Sequence, residues 1–156
     1  MVVTAGRITG GRKMTTAQEI MHPGAQCVTE HESLATAAKL MRDRGVGALP
    51  ICGENDRLLG IITDRDIVVK CIAAGLDPSA TTAGEMAEGR PLTIEGEDDI
   101  EQVLRVMEQH RVRRLPVIDH PGHKLIGMIS EADVARHMPQ ARVAEFVSAI
   151  CAEDET

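Results

Sequence analysis

Tryptophan and tyrosine are absent from this chain of 156 residues, and phenylalanine occurs once, at Phe146. Without aromatic faces there is no stacking platform for single-stranded DNA or for RNA bases. Any flat ring the protein binds must therefore lie between aliphatic side chains. Positive charge is also short: 17 Lys and Arg against 24 Asp and Glu leave a net charge of -7. That sign is wrong for a protein that tracks a phosphate backbone, so nucleic acid is disfavoured as a partner. No apolar run approaches the ~18 residues of a membrane span. The opening stretch MVVTAGRITGGRK lacks the apolar core of a secretory signal. It reads as a flexible leader over residues 1–14, and the expectation is a cytoplasmic protein with no membrane partner.

Cysteine is sparse as well. Cys27, Cys52, Cys71 and Cys151 show no C-x-x-C spacing, which argues against a zinc ribbon. In the expected compartment the default is reduced, mostly buried thiols. One sharper candidate is a Cys27–Cys151 bridge tying the first strand to the tail. The stretch DHPGH gathers Asp119, His120 and His123 in one predicted turn. An exposed turn explains it better than a metal site, so no metal is expected, with His120 and His123 as the nearest candidates. No nucleophile–base–orienter arrangement accompanies Thr63 or Ser130, so the chain is not expected to be an enzyme.

What is present is a repeat. TTAQEIM at Thr15 returns as TTAGEMA at Thr81, an offset of 66, and VGALPIC (46–52) returns as VRRLPVI (112–118). After one inserted turn residue, LLGIITDRDIV (58–68) aligns with LIGMISEADVA (125–135). Matching segments in the same order mark a tandem duplication. In each copy an apolar stripe (Leu34, Ala37, Ala38, Met41; Ile100, Val103, Leu104, Met107) follows the i, i+3, i+4, i+7 spacing of an amphipathic helix. Gly45 suits the end of the first, and Asp98 and Asp99 the start of the second. Two short apolar runs follow in each copy, 48–52 with 58–62 and 114–118 with 124–129, joined by turn chemistry. Second helices are expected at roughly 64–74 and 131–138, and short strands near Cys27–Thr29 and Leu92–Ile94.

The fold class is thus α/β (α+β), two β-α-β-β-α units over residues 15–76 and 77–139 with a C-terminal helix and tail over 140–156. A unit of this size is marginal alone, so the two are expected to pack together with pseudo-twofold symmetry.

The signature [ST]-x-x-[DE] occurs at Thr16–Glu19, Thr63–Asp66, Thr82–Glu85 and Ser130–Asp133. Each reads as a helix cap. Two of the four also follow Gly60 or Gly127 at the end of a predicted strand, where glycine marks a bulge or the close approach of another group. There a hydroxyl and free N–H groups can receive phosphate, and the acid can accept from ribose hydroxyls.

On these residues the chain resembles a tandem pair of cystathionine-β-synthase (CBS) domains, a Bateman module. The carriers are the duplicated endings GIITDRD and GMISEAD and the preceding ALP and RLP, and the resemblance spans residues 15–138. GALPICG, ITDRDIV and AAGLDP narrow it to the stress-response CBS proteins of actinobacteria. The resemblance implies an adenosine nucleotide or adenosyl ligand (AMP, ADP, ATP or S-adenosylmethionine) held between the units, no required cofactor, and a homodimer read by a further protein partner. Carried over by position, Thr63 and Ser130 meet phosphate and Asp66 and Asp133 hold ribose. Val28, Thr29 and Ile94, with the strands Ala48–Leu49–Pro50 and Arg114–Leu115–Pro116, line the base pocket. Arg65 stands beside the first phosphate position, whereas the second copy has Ala132 there, so unequal clefts are expected. Two other readings stay open: a structural or protein-interaction dimer that no longer binds ligand, and a redox- or metal-responsive one.

Overall fold

The computed structural model describes residues 14–24 and 26–152. The leader expected over 1–14 lies outside them except for Met14. Two sheets are present, each with its own core. In the first, β2 (Val28–Thr29) runs parallel to β3 (Ala48–Cys52), which pairs antiparallel with β4 (Leu58–Thr63). In the second, β5 (Ile94–Glu95) runs parallel to β6 (Arg114–Ile118), and β6 pairs antiparallel with β7 (Leu125–Ser130). β1 (His22–Pro23) adds a fourth strand to this second sheet beside β7. Even the irregularities repeat: the register slips between Ile51 and Cys52 in one hairpin and between Val117 and Ile118 in the other.

The helices form where the apolar spacing demands. α2 (Leu34–Arg44) starts at Ser33, whose side chain accepts from the Thr36 N–H, and ends at Gly45 with φ of 64°. α4 (Ile100–His110) starts at Asp99 and ends at Arg111, which takes the same left-handed conformation at φ 51°. Glycine adopts that conformation without Cβ strain and arginine does not, so only the first copy has the favourable residue there. Buried stripes from α2 (Leu34, Ala37, Met41) and α4 (Val103, Leu104, Met107) face their own sheets.

The helices expected after each hairpin are shorter or altered. α3 covers only Asp64–Asp66 before widening into a π-helical turn, Ile67–Ile72, and α5 covers Glu131–Ala135. The final helix, α6 (Gln140–Cys151), buries Phe146 and Ile150 in the second core. Arg142 fixes it to α4 through Glu108 at 3.0 Å, and that hydrogen bond holds the guanidinium pKa above its usual value.

The pseudo-twofold arrangement is written in the hydrogen bonds. Thr16 bridges Asp99 as Thr82 bridges Ser33, pairs related by the repeat offset. Ala17 N–H donates to Asp98 O at 2.8 Å, and Ala83 N–H donates to Glu32 O at 2.8 Å. Each unit's leading segment therefore crosses to the other core. α1 (Ala17–Ile20) buries Ala17 and Ile20 in the second core, while Ala83, Met86 and Ala87 close the first. This crossing explains the two glycines. A Cβ on Gly127 would stand 2.5 Å from Met21 Sδ and 2.6 Å from His22 O, and one on Gly60 3.2 Å from Ala87 Cβ. The group that approaches closely is the crossing chain.

Cys27 is bonded to Cys52, with the Cα atoms 5.6 Å apart. This replaces both the reduced state expected for these two and the Cys27–Cys151 bridge. The reason is topological: β2 lies beside β3 with Thr29 opposite Cys52, whereas α6 carries Cys151 onto the second unit. Cys151 is exposed, with Arg113 Nη2 at 3.4 Å from its sulfur, and Cys71 is a buried free thiol. Among the described residues no helix is long and apolar enough to cross a membrane.

Candidate functional site

Each strand-to-helix turn is closed by a reciprocal cap. At the first, Asp66 N–H donates to Thr63 Oγ1 and Thr63 N–H donates to Asp66 Oδ2, both at 3.0 Å. At the second, Asp133 N–H donates to Ser130 Oγ at 3.3 Å, and Ser130 N–H and Oγ both reach Asp133 Oδ2, at 2.9 and 2.8 Å. Both helices also start on the neighbouring strand in the same way, Asp64 N–H donating to Gly47 O and Glu131 N–H to Arg113 O. The capping reading holds at both turns. Each cap uses one carboxylate oxygen and leaves the other pointing away.

Two related clefts open at those second oxygens, and each combines one copy's acid with the other copy's strand. The first, about 310 Å³, sets Asp66 and Ile61 against Val112, Arg114 and Leu115, with Pro91 and Leu92 from the segment before β5. The second, about 370 Å³, sets Ser130, Asp133 and Met128 against Val46, Ala48, Leu49 and Pro50. Their apolar lining is aliphatic, and ionisable residues complete it: Lys70, Glu88 and Arg90 in the first, His22 and Arg44 in the second. A larger hollow of about 770 Å³ lies between the two turns and is bordered by Thr63, Ser130, Arg65, Arg113 and Arg114. Asp64 and Glu131 border it too, so three arginines and two acids share the space that reaches both capping residues.

Not every residue named from the sequence reaches these clefts. Val28 and Ile94 are buried in the two cores. Thr29 is exposed, and its N–H is satisfied by Glu32 Oε2 at 2.7 Å. Pro116 is buried within β6 opposite Met128. His120 and His123 pack edge to face with ring centroids 6.2 Å apart. No group of three His, Cys, Asp or Glu among the described residues could hold a metal ion.

The sequence reading missed the residues that meet the free carboxylate oxygens. His22 Nε2 lies 3.0 Å from Asp133 Oδ1, and Arg136 adds a contact at 3.4 Å. Asp133 is almost wholly buried beneath them, at 3% exposure. In the first cleft Lys70 stands 3.5 Å from Asp66 Oδ1 and 3.5 Å from Glu88 Oε2. The Asp66 carboxylate, and then Glu88, raise the Lys70 pKa above its ordinary value. His22 and Glu88 are equivalent under the 66-residue offset. Extending the repeat alignment into the crossing segments would have found them.

Comparison with known proteins agrees with this architecture. The CBS domain matches residues 17–72 and 83–140. Hypoxic response protein 1 of Mycobacterium tuberculosis is 53% identical over 138 residues, 88% of this chain and 95% of its own. A crystal structure of that type, Hypoxic Response Protein I with two coordinated zinc ions, superposes with a TM-score of 0.74 at 54% identity, covering 80% of this chain and 100% of the other. CBSX2 in complex with AMP superposes with a TM-score of 0.68 at 26% identity, covering 81% of this chain and 98% of the other.

Proposed function

The chain belongs to the CBS-domain family, and on that premise we propose that it is a non-catalytic sensor that binds an adenosine nucleotide or adenosyl ligand in the cleft at Asp66. The observation that carries this reading is the state of the two ribose-position acids. Among the described residues Asp66 Oδ1 meets only the flexible Lys70 ammonium, at 3.5 Å, whereas Asp133 Oδ1 is covered by His22 at 3.0 Å and by Arg136 at 3.4 Å. A ribose replaces the lysine contact with two hydroxyl donors. At the second cleft it must first displace an imidazole. The base would lie between Ile61, Leu92, Val112 and Leu115, and the phosphates would extend toward Thr63, Arg65 and Arg114 in the larger hollow. Guanidinium groups there suit phosphate oxygens, which favours a nucleotide over a neutral adenosyl ligand.

The protein acts as a homodimer in this reading. The π-helical turn and the loop after it expose Val68, Val69, Ile72 and Leu76, between 47 and 58% accessible. An apolar group of that extent on a soluble surface marks an interaction site. The likeness to Hypoxic response protein 1 supports a signalling role in stress or energy response. The mechanism needs ligand to favour one packing of the units or subunits over another, since equal affinity shifts nothing.

Calorimetric titration with AMP, ADP, ATP and S-adenosylmethionine tests the proposal. Binding of one of them, lost in Asp66→Ala, is the expected result. A folded protein that binds none at millimolar concentration overturns it and leaves the interaction dimer.

A further inference from the structure

A third cleft, of about 340 Å³, lies at the turn end of the strands and is unlike the two described above. Its walls come from both units: Arg57 and Leu58 at the start of β4 in the first, and Arg90, Pro91, Thr93, Glu95, Ile118 and His123 in the second. Leu58 is five residues from Thr63 along β4, about 16 Å at the usual strand rise. The cleft is thus well separated from the capping hydroxyls. The units touch beside it, with Arg57 bridging Lys124 and Leu58 N–H donating to His123 O at 3.3 Å. Arg57 and Lys124 are equivalent residues of the two copies under the 67-residue offset.

The electrostatics are unusual for a chain of net charge -7. Neither the Arg57 nor the Arg90 side chain makes a hydrogen bond or ion pair among the described residues. Glu95 is the only acid lining the cleft, and its Oε1 lies 3.5 Å from His120 Nδ1. Arg57, Arg90, Thr93 and His123 thus line one hollow together with Leu58, Pro91, Glu95 and Ile118. A pair of planar donor forks matches the several oxygens of a phosphoryl group better than a single carboxylate. We propose that this turn-end cleft binds a small phosphorylated anion, bridging the two units at the end opposite the capping turns.

Arg90 also borders the Asp66 cleft, so Arg57 is the discriminating residue. The test is titration of inorganic pyrophosphate into the full chain, followed by backbone amide shifts in NMR and by calorimetry. Shifts centred on Arg57, Thr93 and His123 are expected. Arg57→Gln should weaken pyrophosphate roughly tenfold, the scale of one lost charged hydrogen-bonding partner. The same variant should leave AMP titration unchanged, which separates this site from the nucleotide cleft and confirms folding. Arg57→Lys, keeping the charge without the fork, should lose affinity by a smaller factor. Unchanged pyrophosphate affinity in both variants overturns the proposal. So do shifts confined to Asp66, Thr63 and Ser130, or no shifts at all.

Discussion

The same position of the repeat carries His22 in one crossing segment and Glu88 in the other, and the two clefts differ because of it. His22 sits directly on Asp133, while Glu88 reaches Asp66 only through Lys70. β1 pairs His22 and Pro23 with β7, whereas the segment around Glu88 stays outside the first sheet. Duplication supplies two equal turns, and the segments that cross between them make the turns unequal. The backbone symmetry survives in the bridges at Thr16 and Thr82, and the side chains on either side of it have diverged.

Several perturbations sharpen that contrast. The largest concerns the cores. Phe146 is fully buried in the second core, and α6 gives the first core no counterpart. Phe146→Ala should cost about 3–5 kcal/mol in urea denaturation, within the range for a deleted core aromatic. The first unit has its own restraint, the Cys27–Cys52 bridge across 25 residues. Reducing it should lower stability by roughly 3 kcal/mol on the chain-entropy account, and Cys52→Ser should make the protein insensitive to reductant. A smaller effect is expected at the covered acid. His22→Ala should raise AMP affinity at the Asp133 cleft about tenfold, the scale of one charged hydrogen bond, seen as a second binding event in calorimetry.

The smallest effect is one of pH. Because the folded-state pKa of Lys70 lies above the ordinary 10.5, its pairing with Asp66 favours the fold below that value and is lost only as pH rises beyond it. Asp66-dependent binding should therefore not vary with Lys70 titration between pH 7 and 9, which a pH series of Lys70→Met against the unaltered protein would check.

Most of the architecture was legible because the repeat made each half a check on the other. The stripes at Leu34–Met41 and Ile100–Met107, the paired strands and the caps at Thr16, Thr63 and Ser130 follow from local spacing, which is what a single sequence displays. Thr82–Glu85, by contrast, closes only a short turn at Gly84–Met86. What it does not display is which copy a segment packs against. Gly60 and Gly127 signalled a close approach, but only the crossing chain shows that Met21, His22 and Ala87 are the neighbours. Cys27 pairs with Cys52 because β2 and β3 are parallel neighbours, a sheet-order fact with no sequence mark. Val28 and Ile94 lie in the two cores, and apolar character alone does not separate a core position from the wall of a ligand pocket. His22 reads from the sequence as one of several scattered surface or capping histidines, and Glu88 belongs to no motif; only their equivalence under the offset gives them meaning.

The central claim is that one cleft of the two, the one at Asp66, is open to ligand. Calorimetric stoichiometry of AMP with the unaltered protein, Asp66→Ala and Asp133→Ala tests it most directly. The account predicts one AMP per protomer, lost in Asp66→Ala by roughly a hundredfold or more as two ribose hydrogen bonds to a carboxylate disappear. It also predicts that Asp133→Ala, though less stable, keeps that single site. A single site that survives Asp66→Ala and vanishes in Asp133→Ala would contradict it.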